Sequence, residues 1–231
     1  MELPLAQEDL CVARVPLFRS LTRTEHEQVA ALARPTRVTR GEALYTAGAD
    51  VSQLMVVHTG RLKISRLGSD GHEQVVRVLE PGDFVGESAF LSGARPDHQA
   101  VALEAGSMCV FRHADVAGLV RAHPSIGLRM MQELSRRLDE TEVRLASVVS
   151  RDVSARLADY LLSLPARRGV DGLTVHLPLA KKDIASLLGT TPESLSRQLR
   201  RLAESGLVSE HGPGLLTISD VDALLALAGN D

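Results

Sequence analysis

Leu179-Ala-Lys-Lys-Asp-Ile-Ala-Ser-Leu-Leu-Gly-Thr-Thr-Pro-Glu-Ser-Leu-Ser-Arg-Gln-Leu-Arg-Arg-Leu-Ala-Glu-Ser-Gly-Leu-Val208 is the stretch on which the reading of this chain turns. Ile184, Ala185, Leu187 and Leu188 make the apolar face of a short helix, and Ala185 is small enough to let a second helix approach. Gly189 stops that helix, because a C-cap needs a positive φ that glycine adopts freely. Thr191 and Pro192 form an N-cap and N1 pair, so a second helix starts about two residues after the first stops. Leu195, Leu199 and Leu202, at i, i+4 and i+7, hold it inward and leave Glu193, Ser196, Arg197 and Arg200 outside.

That outer face suits base reading in a major groove. Glu193 can accept from a cytosine amino group, Ser196 adds a hydroxyl, and Arg197 can grip guanine through two hydrogen bonds. Arg200 and Arg201 follow within reach of phosphates, and Thr191 and Lys181 complete the candidate DNA-binding set. A helical hairpin with a solvated charged face accounts for Arg200 and Arg201. It does not account for a Gly turn, a capped second helix and a following hairpin occurring together.

The flanks agree. A helix is expected from Asp152 to about Leu164, a loop around residues 165–169, and a short strand over Leu173–Leu177. After the two short helices comes a hairpin from residues 206–208 to Leu215–Ile218, with His211-Gly212-Pro213-Gly214 as its turn, and a last helix from about Asp220. This order is that of a winged helix-turn-helix. Residues 151–231 hold nine basic and ten acidic side chains, yet from Leu195 to Leu202 the only charges are Arg197, Arg200 and Arg201. Positive field focused on one helix implies two such helices in a homodimer, each reading one half-site of double-stranded DNA.

Upstream, residues 124–150 read as one long helix. Gly127, Met131, Leu134, Leu138, Thr141, Leu145 and Val148 follow a spacing of three and four, a seam that suggests a parallel coiled-coil contact with a second copy of the chain. Packing on the preceding domain alone is the other way to use it. Thr141 is the polar exception, and a hydroxyl there either bonds within the helix or faces a ligand.

Residues 8–34 read helical, with Ser20 and Thr22 as capping residues. From about Arg37 the apolar period drops to near two. Short runs punctuated by glycines then indicate an antiparallel sandwich, barrel or jelly roll, and Asp70-Gly71 signals a tight hairpin. The expected fold is α+β: a jelly-roll sensor domain over residues 1–123, a dimerisation helix over 124–150, and a winged helix-turn-helix over 151–231.

Composition bounds the rest. The 231 residues are 44% hydrophobic and 24% charged, with a net charge of −3, which excludes a disordered or collagen-like chain. No apolar run suits a membrane span and the N-terminus lacks a secretory signal, so a cytoplasmic location with no membrane partner is expected. Cys11 and Cys109 are too few for a disulfide framework, a zinc site or an iron–sulfur cluster and read as buried thiols. No P-loop, G-x-S-x-G, H-E-x-x-H or strand-following G-x-G-x-x-G appears, which argues against an enzyme. Gly82 and Gly86 read as β-roll loop residues rather than a strand-to-helix junction.

With Pro81-Gly82-Asp83-Phe84-Val85-Gly86-Glu87 ahead of the seam helix and the winged helix-turn-helix, the chain resembles the CRP/FNR family of bacterial transcription regulators over nearly its whole length. The resemblance implies an effector-sensing jelly roll, dimerisation through the long helix, a hinge at Asp152, and presentation of the bound protein to RNA polymerase. The family pattern E-x-x-S-R falls on Glu193, Ser196 and Arg197, the FNR-like form, which implies a palindrome nearer TTGAT-N4-ATCAA than TGTGA-N6-TCACA. Gly86, Glu87 and Ser88 match the cyclic-nucleotide cradle, but the phosphate arginine falls on Pro96 or Asp97, and Arg95 could serve only if the loop shifts; His98 follows. Thr141 matches a nucleotide-contacting threonine, with Glu142 next where the cAMP branch has serine. The iron–sulfur reading fails for want of a cysteine cluster. A haem site using His98, His113 or His123 with Cys109, and a redox-sensing thiol at Cys11 or Cys109, stay open beside an unidentified small-molecule effector or activity with no ligand. No metal or cofactor is required by any motif.

Overall fold

A computed structural model describes Val12, residues 15–69 and residues 71–229. Two compact units result, divided between Leu138 and Asp139.

The first unit carries β1 (Arg34–Val38), β2 (Ala43–Tyr45), β3 (Gln53–Thr59), β4 (Leu62–Leu67), β5 (Glu73–Leu79), β6 (Phe84–Val85), β7 (Gln99–Ala102) and β8 (Gly106–Arg112). They form two antiparallel sheets, ordered β1-β8-β3-β6 and β2-β7-β4-β5. Helices α1 (Arg23–Leu32), α2 (Glu87–Ser92) and α3 (His113–Ala122) accompany them, and the long α4 (Pro124–Ser150) begins in this unit.

Side-chain alternation along β3 accounts for its unbroken apolar run. Leu54 and Val56 join a core with Phe111, Val29, Leu119 and Ile126, hence with α1, α3 and α4. Met55 and Val57 point the other way, into a second core with Leu62, Ala100 and Met108 between the sheets. A strand buried on both faces has no polar side to show.

Several expectations shift. Within the described part of residues 8–34 there is a 3-10 turn at Pro16–Phe18 and then α1, while Arg34 already opens β1. Residues 8–11, 13 and 14 lie outside the described residues. Pro35 is tolerated in β1 because that strand is a sheet edge, where a missing N–H costs no ladder bond. Thr22 caps α1 in a reciprocal box with Glu25. Ser20 caps no helix: its hydroxyl instead accepts from Arg129 Nε at 3.1 Å. The β4–β5 hairpin forms with Gly71 at φ 79°, but the Gly68 N–H donates to the His72 carbonyl, so its turn is longer than two residues. Asp70 lies outside the described residues.

The second unit continues α4 into α5 (Val153–Ser163), capped by Asp152, whose carboxylate accepts from the Ala155 N–H at 2.8 Å. That bond and the Ser154 hydroxyl hold the Asp152 carboxyl below its usual range. Where a loop was expected at 165–169, β9 (Ala166–Arg168) pairs with β10 (Leu173–His176). Strands β11 (Val208–Gly212) and β12 (Leu215–Ile218) complete a sheet ordered β11-β12-β10-β9. A register shift between Glu210 and Gly212 carries β11 through His211, so the tip of the wing is Pro213-Gly214 rather than all four residues. The last helix, α8 (Val221–Ala228), is capped by Asp220 and packs on α5. Among the described residues no helix is long and apolar enough to cross a membrane.

Candidate nucleic-acid interface

Helices α6 (Lys181–Leu187) and α7 (Pro192–Glu204) carry the predicted site. Gly189, at φ 63°, turns the chain out of the first, and Thr191 Oγ1 accepts from the Ser194 N–H at 3.2 Å to open the second. Leu195, Leu199 and Leu202 are buried at 0%, 2% and 5% exposure. Their burial fixes the rotation of α7, and Glu193, Ser196, Arg197, Arg200 and Arg201 are all exposed as a result. Glu193, Ser196, Arg197 and Arg200 fall at i, i+3, i+4 and i+7, one strip along the helix.

Among the described residues none of these five side chains has a hydrogen bond or ion pair within the chain, so their donors and acceptor are available to a ligand. Lys181 differs: its Nζ lies 3.1 Å from Glu210 Oε1, tying α6 to the wing strand β11. Both partners are 45% exposed, so this pair is weak and can open toward a phosphate.

The seam face of α4 is uncovered. Met131, Leu138, Leu145 and Val148 are 61%, 58%, 64% and 40% exposed. Leu134 is half-buried and Thr141 exposed. Gly127 does not belong to that stripe, because a Cβ there would sit 3.0 Å from Val120 of α3.

In the β-roll, Gly86 stands between β6 and α2, a strand-to-helix junction and not the loop that was expected. At φ 95°, a Cβ on it would come within 2.2 Å of the Gln53 carbonyl oxygen, so only glycine fits. Glu87 opens α2, but Arg137 Nη1 engages it at 3.0 Å and Arg77 Nη2 lies 3.8 Å away. Arg137 is 7% exposed and also reaches Glu133 Oε1 at 2.8 Å and the Phe84 carbonyl at 3.0 Å, with its guanidinium 4.2 Å from the Phe84 ring centroid. Burial works against the Glu133 charge, yet Arg136 and Arg137 keep its carboxyl below the usual range.

Of the rest of the expected effector set, Asp97, His98 and Arg95 are engaged within the first unit, whereas Thr141 belongs to the second. Asp97, exposed, pairs with Arg66 at 2.8 Å, and the bond from His98 holds its carboxyl low, aided by Arg66. His98 Nε2 lies 2.9 Å from the Tyr45 hydroxyl, whose pKa burial pushes well above the ordinary phenol value. Arg95 donates to the Gly48 carbonyl at 3.3 Å. Between Gly86, Glu87, Ser88, Pro96 and His98 the cleft measures about 10 Å³. That is roughly the room one water needs, against roughly 300 Å³ or more for a small-molecule site. A larger cleft of about 420 Å³, by Pro16, Gly82, Arg129 and Arg136, is lined by none of the predicted effector residues.

The imidazoles do not converge. His98 meets Tyr45, the His113 ring packs 5.3 Å from Phe90, and His123 Nδ1 lies 3.0 Å from Glu25. Cys109 is buried as expected, but it is disulfide-bonded, which corrects its reading as a buried thiol. Cys11 lies outside the described residues. Sequence reasoning missed Tyr45, Arg66, Arg77 and Arg137. Arg137 reads on its own helix as an ordinary i,i+4 partner of Glu133, and nothing local reveals that it is buried.

Comparison with known proteins is consistent over both units. Residues 35–123 match the cyclic nucleotide-binding domain and residues 155–227 the Crp-like helix-turn-helix domain. A probable transcriptional regulator, flp, of Lacticaseibacillus casei is 35% identical over 202 residues, covering 87% of this chain and 91% of that protein. The CRP-like cAMP-activated global transcriptional regulator of Mycobacterium tuberculosis is 30% identical over 223 residues, 94% and 97% of the two chains. Among solved structures, the c-di-GMP-responsive global regulator CLP of Xanthomonas campestris superposes with a TM-score of 0.76 at 20% identity, covering 86% of this chain and all of that one, a likeness of fold.

Proposed function

Because the chain belongs to the CRP/FNR family of transcription regulators, we propose that it acts as a homodimer on a palindromic promoter site of the TTGAT-N4-ATCAA kind, in a form that needs no cyclic nucleotide. The observation that carries the DNA reading is the free, exposed strip of Glu193, Ser196 and Arg197 on a helix whose rotation is fixed by three buried leucines. Arg197 pairs with a guanine, Glu193 with a cytosine amino group, and Ser196 adds a hydroxyl contact. Arg200 and Arg201 bind phosphates with Thr191 and Lys181 at the helix starts, and these contacts position the protein without selecting sequence.

Dimerisation uses Met131, Leu134, Leu138, Thr141, Leu145 and Val148, whose exposure supports a second copy as the cover. Bound to its promoter, the dimer presents itself to RNA polymerase in the cytoplasm. Nucleotide independence is supported by the small cleft of about 10 Å³, by Pro96 or Asp97 standing where the resemblance expects the phosphate arginine, and by Glu87 being engaged by Arg137. An anion brought beside Asp97 meets repulsion, with Arg66 already committed to that carboxylate.

Fluorescence anisotropy of the ligand-free protein on this palindrome and on a scrambled duplex, at one salt concentration with and without cAMP, tests the reading. Preference for the palindrome that is indifferent to cAMP is expected. Specific binding that appears only with cAMP would establish the alternative, in which Glu87, Arg95 and Thr141 form a working nucleotide site after a loop shift. No preference in either condition would overturn the half-site assignment.

A further inference from the structure

Helix α6 ends in carbonyls that its own turn cannot satisfy, as every helix does. No basic residue lies in its last turn, nor in the last turn of α4. The donors come from elsewhere in the second unit. Arg144, on α4, donates through Nη2 to the Leu187 carbonyl. Arg156, on α5, donates through Nε to the Leu188 carbonyl at 2.9 Å. Through Nη1 the same guanidinium reaches the Arg151 carbonyl at 2.5 Å and the Val148 carbonyl at 3.4 Å. One planar cation therefore bridges the C-terminal end of α4 and that of α6, where partial negative charge collects. Beside it, the Val148 methyl groups lie 3.7 Å from where a Cβ on Gly189 would be.

We propose that Arg144 and Arg156 are positioning residues for DNA reading: they fasten the turn of the helix-turn-helix to the end of the long helix and so set the separation of the two recognition helices in a dimer. The inference rests on the proposed dimeric DNA reading. Its lever is short, because α7 begins at Pro192, just beyond the Leu188 carbonyl that Arg156 holds. A tilt released at that carbonyl passes directly to Glu193, Ser196 and Arg197, and half-site spacing is the geometric quantity it alters. Lysine cannot replace arginine here, since one ammonium lacks the fork that reaches both helix ends.

The test uses the full-length protein and the substitutions Arg156→Met, Arg156→Lys and Arg144→Met. Anisotropy titrations are run on duplexes carrying two TTGAT half-sites in inverted repeat with spacers of N3 to N6, on a single half-site, and on random sequence. The wild type is expected to favour one spacer. The variants should bind that duplex about tenfold more weakly and lose the spacer preference, while single half-site and random binding change by less than about threefold. An unchanged spacer profile overturns the proposal, and so does a uniform loss on every duplex, which marks a merely destabilised domain.

Amide hydrogen exchange on the same free proteins gives an answer without DNA. In Arg156→Met, residues 189–191 and 149–152 should gain exchange together while the α5 core stays protected. Change confined to 149–152, or none, overturns the clamp. If Arg156→Met fails to fold, Arg156→Lys, which keeps the cation, carries both measurements. A wild type that prefers no TTGAT duplex counts against the half-site reading, and the exchange result then decides the clamp by itself.

Discussion

Removing the apolar seam from α4 should separate the protomers without unfolding them. Leu138 and Leu145 are 58% and 64% exposed in the single chain, so they contribute little to its own core. Fully burying a leucine is worth about 1.5–3 kcal/mol, and with more than half of each side chain still in water, association can recover about 1–2 kcal/mol from each. Both residues occur in both protomers, so Leu138→Ala with Leu145→Ala should weaken the dimer by about 4–8 kcal/mol, roughly a thousandfold or more in dissociation constant. Sedimentation equilibrium over a range of protein concentrations measures it, with thermal unfolding as the control for intact units. A dissociation constant within about tenfold of the wild type would refute the reasoning, since no interface centred on these leucines could lose so little.

Arg197→Ala should cost about 1–3 kcal/mol on the palindrome and erase discrimination at one base pair, while Arg200→Ala should weaken palindrome and random duplex alike; anisotropy on single-base variants separates the two. Thr191→Ala removes the cap of α7 and should lower stability by about 0.5–2 kcal/mol, read as a lower melting temperature, with Thr191→Asn close to the wild type. Asp152 is held below its usual carboxyl range by the Ala155 N–H and Ser154. Its capping contribution is therefore present above the ordinary carboxyl pKa and is lost as pH falls through the lower folded value. Acid titration from neutrality should thus destabilise the wild type more than Asp152→Asn, whose amide caps at any pH; equal acid sensitivity would remove Asp152 from the account.

Much of the second unit was legible because its signals are local. Gly189, the Thr191-Pro192 pair and the spacing of Leu195, Leu199 and Leu202 all act within one or two helical turns, and the structure has both helices there. Asp152 and Asp220 likewise announced the starts of α5 and α8. Helix α3 carried no such signal, because Arg112 at its start makes no side-chain cap. Short elements such as α2, β6 and β9 went unread for a related reason: two to six residues hold less than two turns of any period.

The amino-acid sequence by itself determined the order of the β-rich and helix-turn-helix parts, the exposed polar strip of α7 and the apolar stripe of α4. Each is a matter of period and capping along one continuous segment. Only the tertiary structure decided what the long polar side chains do. Arg137 meets Phe84 fifty-three positions away, and Arg156 meets Leu188 thirty-two positions away. It also brought the Tyr45 hydroxyl against His98, residues fifty-three apart. A flexible charged side chain seeks whichever carbonyl or carboxylate the fold brings near, and that choice is made by chain crossings that no local pattern records.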